Sequence, residues 1–485
     1  MPGVIFEDQA PRVESGANRM DIALFVGFVR LAAGAVISED SPLFQWLDQR
    51  GWIGKPYGRP WQTLYDLPVP IENWPQFEAL FDWQNRTGDN RDGATYLGAA
   101  VRSFFAQGGR KCYVVRVGDP WPLQTSTEER LEKIGTLIPG HSGRLLPSPR
   151  DRRSWSGIGH VFGLPDVSFV CIPDLVDAVA TDRTQIEVPA PVIVAPEEFV
   201  ECSAPEPEPP ADRTVRDIGA PLCDESGFAN WKRALQSAID VISRAAYRVE
   251  LIAAVPMPRG ELAFDTAPPE PRLQLAYPWM RTPGSAGLPA QVESPDGVLT
   301  GILARNALLR GTYTSAANLH TGDAFDVFPV LDRHEQQDRR LIERVSIFGP
   351  TPDGLRLLSD VTMSEAEEKR PGSVNRLVAT IVRAARELGE EVTFESSGER
   401  LWAEVEGRLD ALMRGLWLEG IFNGTSPSEA YRVRCDASTM SQNDIDNGRV
   451  IAIAQFNAAL PIDTITVVLI VNENTQIPTI EGEAA

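Results

Sequence analysis

His334-Glu335-Gln336-Gln337-Asp338 opens like a zinc-protease signature, but Asp338 stands where the second histidine is required. The other histidines, His141, His160 and His320, sit in no ligand spacing. Gly157-Ile158-Gly159-His160-Val161-Phe162-Gly163 resembles a dinucleotide fingerprint, yet its third glycine comes one residue late. It also precedes a strand-like run where a phosphate loop must follow one, so no helix N-terminus would face a pyrophosphate. There is no GxSxG elbow and no GxxxxGK[ST] loop. Asp166, Asp174 and Asp177 flank a predicted strand, where α/β enzymes often place catalytic carboxylates; turn formation and capping are the plainer role for them. The residues therefore predict no catalytic group, no metal and no cofactor.

Composition points the same way. The chain has 485 residues with 46 basic and 67 acidic side chains, a net charge of −21. Its length suggests two or three domains. The acidic balance argues against nucleic-acid binding and against anionic membrane surfaces. Cys112, Cys171, Cys202, Cys223 and Cys435 are odd in number, widely spaced and without a CxxC pair, which reads as reduced thiols. No secretory leader is recognised at Met1-Pro2-Gly3-Val4, and the longest apolar run, 22–37, is interrupted by Arg30 and too short to span a bilayer. Cytoplasmic production with no membrane insertion is the expectation.

The elements read as an α/β chain. Strands are predicted at 21–29, 112–117, 167–172, 250–255 and 273–277, alternating with helices at 94–106, 228–248 and 298–309. Such alternation suggests a mostly parallel sheet covered on both faces. A Pro-rich excursion, 184–221, reads as an exposed loop. After 348 the pattern changes to two amphipathic helices, 374–388 and 399–417, followed by β-like runs at 431–434, 450–456 and 465–471. A disordered tail is expected at 473–485. Both ends thus carry strand material: Val4, Ile5 and Phe6 at one, Ile465, Thr466, Val467, Val468 and Leu469 at the other. A terminal strand beyond a flexible joint must find an edge somewhere, in its own chain or in another.

Ordered pieces of the chain are similar to contractile tail sheath proteins. They include Met1-Pro2-Gly3-Val4, Ala94-Thr95-Tyr96-Leu97-Gly98, Gly108-Gly109-Arg110-Lys111-Cys112-Tyr113-Val114-Val115-Arg116-Val117 and Ala276-Tyr277-Pro278-Trp279. Ser294-Pro295-Asp296-Gly297-Val298-Leu299-Thr300-Gly301 follows, then Leu401-Trp402, Leu416-Trp417-Leu418-Glu419-Gly420, Tyr431-Arg432-Val433-Arg434-Cys435-Asp436 and Pro461-Ile462-Asp463.

The resemblance implies an N-terminal arm (1–20) that exchanges strands with a neighbour, an outer α/β region (21–347) and an inner C-terminal domain (348–472). It implies hexameric rings of this chain stacked as a six-start helix around an inner tube protein, with baseplate and terminator or cap proteins at the ends. Inter-subunit pairing would use Val4–Phe6 and Ile465–Leu469. A basic cluster with Arg376, Arg383 and Arg386 is expected to contact the tube. The resemblance also implies assembly in a bacterial producer as part of a phage-tail-like particle. The competing readings are an α/β enzyme using Asp166 and Asp174, and a non-contractile tube protein.

Overall fold

The computed structural model describes residues 19–182, 218–457 and 465–471, apart from short gaps at 36, 55–59, 89–92, 144, 246–247, 261, 333–334, 336–337, 393–397 and 448. The N-terminal strand residues Val4–Phe6, most of the Pro-rich loop and the tail lie outside the described residues.

Eight strands form one sheet: β1 (Ala23–Gly27), β2 (Val69–Ile71), β3 (Cys112–Arg116), β4 (Phe169–Cys171), β5 (Glu250–Ala254), β6 (Leu273–Tyr277), β7 (Val345–Thr351) and β8 (Gly354–Leu357). Their spatial order is β8-β7-β6-β5-β4-β1-β3-β2. The six inner strands run parallel, and β2 and β8 close the two edges antiparallel. Strands buried on both faces need unbroken apolar runs, as in the fully buried Ala-Leu-Phe-Val-Gly of β1. The edge strand β2 carries Pro70, which an interior strand would not tolerate.

Helices α1 (Tyr96–Ala106) and α3 (Asp296–Arg310) pack on each other over one face of the sheet; α2 (Glu225–Ile242) packs with the 157–163 turn over the other. Thr95 caps α1 by accepting the Gly98 amide at 3.1 Å. The close approach of α1 and α3 needs glycine: a Cβ at Gly297 would stand 2.4 Å from the Ala100 carbonyl oxygen, and one at Gly301 2.6 Å from that of Phe104.

A second apolar core lies in the C-terminal region. It joins α4 (Gly372–Val392), α5 (Glu399–Leu418) and a three-stranded antiparallel sheet of β9 (Tyr431–Arg434), β10 (Val450–Phe456) and β11 (Ile465–Val471), with β10 in the middle. The domain boundary needs correction. A cut at 348 would split β7, and the first core continues to Met363 while the second begins at Val374. The hairpin of β7 and β8 belongs to the preceding sheet because β7 registers beside β6, from Leu275 opposite Val345 to Tyr277 opposite Ile347.

Candidate assembly interface

Helix α4 has two working faces. Val374, Leu377, Val378, Ile381, Val382 and Ala385 join the C-terminal core, opposite Leu401, Val405, Leu409 and Met413 of α5. The gap left between α4, α5 and β10, lined by Ala385, Leu388, Val405, Leu409, Val450 and Ala452, has room for about one water. The other face lies across the N-terminal ends of the parallel strands. Arg376 and Arg383, seven residues and so about two turns apart, both point into the α/β unit.

Arg376 Nη2 donates to Asp360 Oδ2 at 2.6 Å, its Nη1 stands 3.8 Å from Glu250 Oε2, and its Nε donates to the Thr312 carbonyl at 3.3 Å. Arg383 donates to the carbonyls of Arg19 at 2.9 Å and Val167 at 2.8 Å, just ahead of β1 and β4. Beside them, Arg248 Nη2 donates to Asn375 Oδ1 at 2.8 Å.

This corrects the expected tube contact at two of its three residues. Arg376 and Arg383 are 1% and 5% exposed and serve as teeth that hold the two units together. Arg386 is half-buried. Arg370, just ahead of α4, is also engaged within the chain, with Glu343 at 3.1 Å. The sequence signal for this was present in the heptad spacing of two arginines on a helix with a strong apolar stripe; their partners Asp360 and Glu250 lie far away in sequence.

The electrostatics of the junction are asymmetric. Burial works against ionisation of Asp360, but the Arg376 guanidinium and its hydrogen bonds prevail and hold the carboxyl below its ordinary range. Burial pushes Glu250 up to about 7, only partly offset by Arg376. Neither Glu250 oxygen has a hydrogen-bond partner among the described residues.

In the C-terminal sheet, β11 pairs with β10 of its own chain through all seven residues, from Val450 opposite Val471 to Phe456 opposite Ile465. The strand expected to reach a neighbour is therefore held along one side by its own subunit. The outer sides of β11 and of β9 carry no strand among the described residues.

The crevice where a doubly wound sheet usually binds ligands is closed. The chain runs from β1 to β3 on one side and then to β4 on the other, so the switch point lies beside β1. Asp174 fills it. Its Oδ2 accepts the Phe28 amide at 2.7 Å, and the absence of a Cβ on Gly27 gives that carboxylate its space. Burial pushes Asp174 up to about 7. Asp177 accepts Arg86 at 2.6 Å and the Trp121 indole at 2.9 Å. Asp166 accepts Lys111 at 3.0 Å and the Tyr113 hydroxyl at 2.8 Å.

The other chemical candidates are likewise absorbed by packing. The Gly157–Gly163 segment is a largely buried 3-10 turn whose Gly157 amide donates to Asp66 at 2.9 Å, and His160 bonds the same carboxylate at 2.9 Å. Cys112, Cys171, Cys223 and Cys435 are buried free thiols; Cys202 and His334 lie outside the described residues. No metal-holding cluster occurs among the described residues.

An eight-stranded α/β sheet whose strand-end carboxylates are engaged within the chain, joined to a three-stranded C-terminal sheet, is the architecture of the described residues. The fold is that of contractile tail sheath proteins. The chain is similar to one in the helical sheath of the anti-feeding prophage in its contracted state, at 18% identity and a TM-score of 0.57 over 95% of this chain and 96% of that one. It is similar to one in the sheath complex of the extracellular contractile injection system PVC, also contracted, at 17% identity and a TM-score of 0.53 over 95% and 94%. A sheath tail protein from Listeria innocua matches at 10% identity and a TM-score of 0.50 over 96% and 97%. No protein-family model and no curated protein sequence matches the chain.

Proposed function

We propose that this chain is the structural subunit of a contractile sheath in a phage-tail-like injection particle. It polymerises as stacked hexameric rings in a six-start helix around an inner tube protein, meets baseplate and terminator proteins at the ends, and shortens to drive the tube through a target envelope. The carrying observation is the agreement of the fold, over 95% of the chain, with a sheath protein solved in its contracted state. The outer edges of β9 and β11, which carry no strand among the described residues, support strand addition as the link between copies. In this reading Val4–Phe6 of one copy adds to the C-terminal sheet of another, while Ile465–Leu469 supplies an edge strand anchored in its own subunit. A main-chain link of this kind tethers neighbours while the α/β units slide and repack.

The protein is not an enzyme in this account: its strand-end carboxylates are consumed by Phe28, Arg86, Trp121, Lys111 and Tyr113. Assembly takes place in the producing bacterial cytoplasm. Electron microscopy of the purified full-length chain, alone and with its tube protein, tests the proposal. Tubes or stacked rings are expected; small dispersed particles under all conditions would refute it.

A further inference from the structure

Two buried carboxyls share one guanidinium where the α/β unit meets the C-terminal unit, and they are served unequally. Asp360 is saturated. Arg376 donates to both of its oxygens, at 3.2 and 2.6 Å, Gln274 Nε2 donates at 3.0 Å and the Ala316 amide at 2.8 Å. Glu250, the first residue of β5, is also buried but has no such set. Arg376 Nη1 stands 3.8 Å from it, and neither of its oxygens accepts a hydrogen bond among the described residues.

The charged groups that act on Glu250 come from three segments: Arg376 of α4, Asp360 ahead of it and Arg248 on the approach to β5. Arg248 donates to Asn375 of α4 at 2.8 Å and shares its surroundings with Arg272 and Glu270, just ahead of β6. On the β4 side, the Ser168 carbonyl accepts the Glu250 amide at 2.9 Å, and Arg383 is taken up by the Val167 carbonyl at 2.8 Å.

A neutral carboxyl suits this position better than a carboxylate. With Glu250 protonated, Arg376 grips Asp360 through both terminal nitrogens. Ionised, Glu250 sets a second negative charge against the same guanidinium, where burial removes solvation and no donor among the described residues replaces it. Drawing Arg376 toward Glu250 weakens its pair with Asp360. The Thr312 and Ala316 contacts that close the junction weaken with it.

We propose that Glu250 is a proton-operated latch on the junction between the two units: protonated, it leaves Arg376 to Asp360 and the units lock; ionised, it competes for Arg376 and the junction loosens. The latch belongs to the single chain and goes beyond the sheath reading. The buried carboxyl titrates at about 7, above its ordinary value, so closing is favoured at lower pH and the advantage is lost as pH rises toward 7. Each pH unit in that interval changes the opening equilibrium by about tenfold.

Hydrogen–deuterium exchange of the full-length chain, corrected for the intrinsic pH dependence of exchange, tests this at about pH 5.5 and about pH 8. Peptides covering 312–317 and 359–375 report on the junction, because the Ala316 and Gly372 amides both bond to Asp360. Peptides from β10 report on the C-terminal core. Wild-type junction amides should lose at least about tenfold in protection at the higher pH while β10 holds. Glu250→Gln and Glu250→Met, which cannot ionise, should keep junction protection at both pH values. Equal wild-type junction protection at the two pH values, the same loss in both variants, or an equal loss in β10 would overturn the latch. None of those results touches the sheath reading, which electron microscopy tests separately.

Discussion

At the scale of single residues, the informative groups are buried charges whose partners come from a different part of the chain. Arg376 is the clearest. Its place in a basic cluster points to a tube contact, and sequence gives no view of Asp360 and Glu250 closing around it. Removing one partner of a buried ion pair leaves the other charge stranded in a low-dielectric interior. Arg376→Ala should therefore lower unfolding free energy by about 3–5 kcal/mol in urea titration, while Arg386→Ala, at a half-buried position, should cost far less. Equal, small losses for both would contradict the assignment of Arg376 to the junction. The strand-end carboxylates are a second case of partners hidden from the sequence. Turn formation and capping are the plainer roles the sequence offers Asp174 and Asp177, but their side chains reach further: Asp174 heads the 175–178 turn without a side-chain cap and accepts the Phe28 amide, and Asp177 accepts Arg86 and Trp121.

At the scale of elements, periodicity carried most of the information. Strands 112–116, 250–254 and 273–277, helices 296–310 and 399–418, and the run 465–471 all fall where alternation or a helical stripe placed them. What escaped was ownership. The 345–357 hairpin belongs to the first sheet because β7 registers beside β6, a pairing set by strands some 70 residues apart that no local pattern encodes. The α1–α3 crossing is similarly invisible until Gly301 is seen against the Phe104 backbone. Gly301→Val should force the helices apart and cost about 3 kcal/mol or more, seen as a large drop in melting temperature. At the chain's start, deleting residues 1–9 should leave a folded monomer with unchanged melting that no longer forms tubes. Normal tubes from that deletion would remove the arm from the assembly link.

At the scale of the whole molecule, four buried carboxyls are pushed upward by burial: Glu250 and Asp174 to about 7, Glu293 to about 8 and Asp296 to about 6. Their folded values lie above the unfolded ones, so the folded chain binds more protons and gains stability as pH falls from above 8 toward 5. Asp360 acts in the opposite sense. Its depressed carboxyl contributes stability above the ordinary aspartate range and loses it as pH falls below that range. Melting temperature should accordingly be higher at about pH 5.5 than at about pH 8.5, then fall in stronger acid. A melting temperature that rises steadily from pH 5.5 to 8.5 would show that these carboxyls are not buried as described.

The whole-molecule claim is that the C-terminal sheet is finished only by another copy of the chain. Cryo-electron microscopy of the assembled protein, at a resolution that traces the first residues, measures this directly. The account predicts that Val4–Phe6 forms a strand on the C-terminal sheet of a different subunit. Val4–Phe6 paired within its own molecule, with a dispersed particle as the native form, would contradict it.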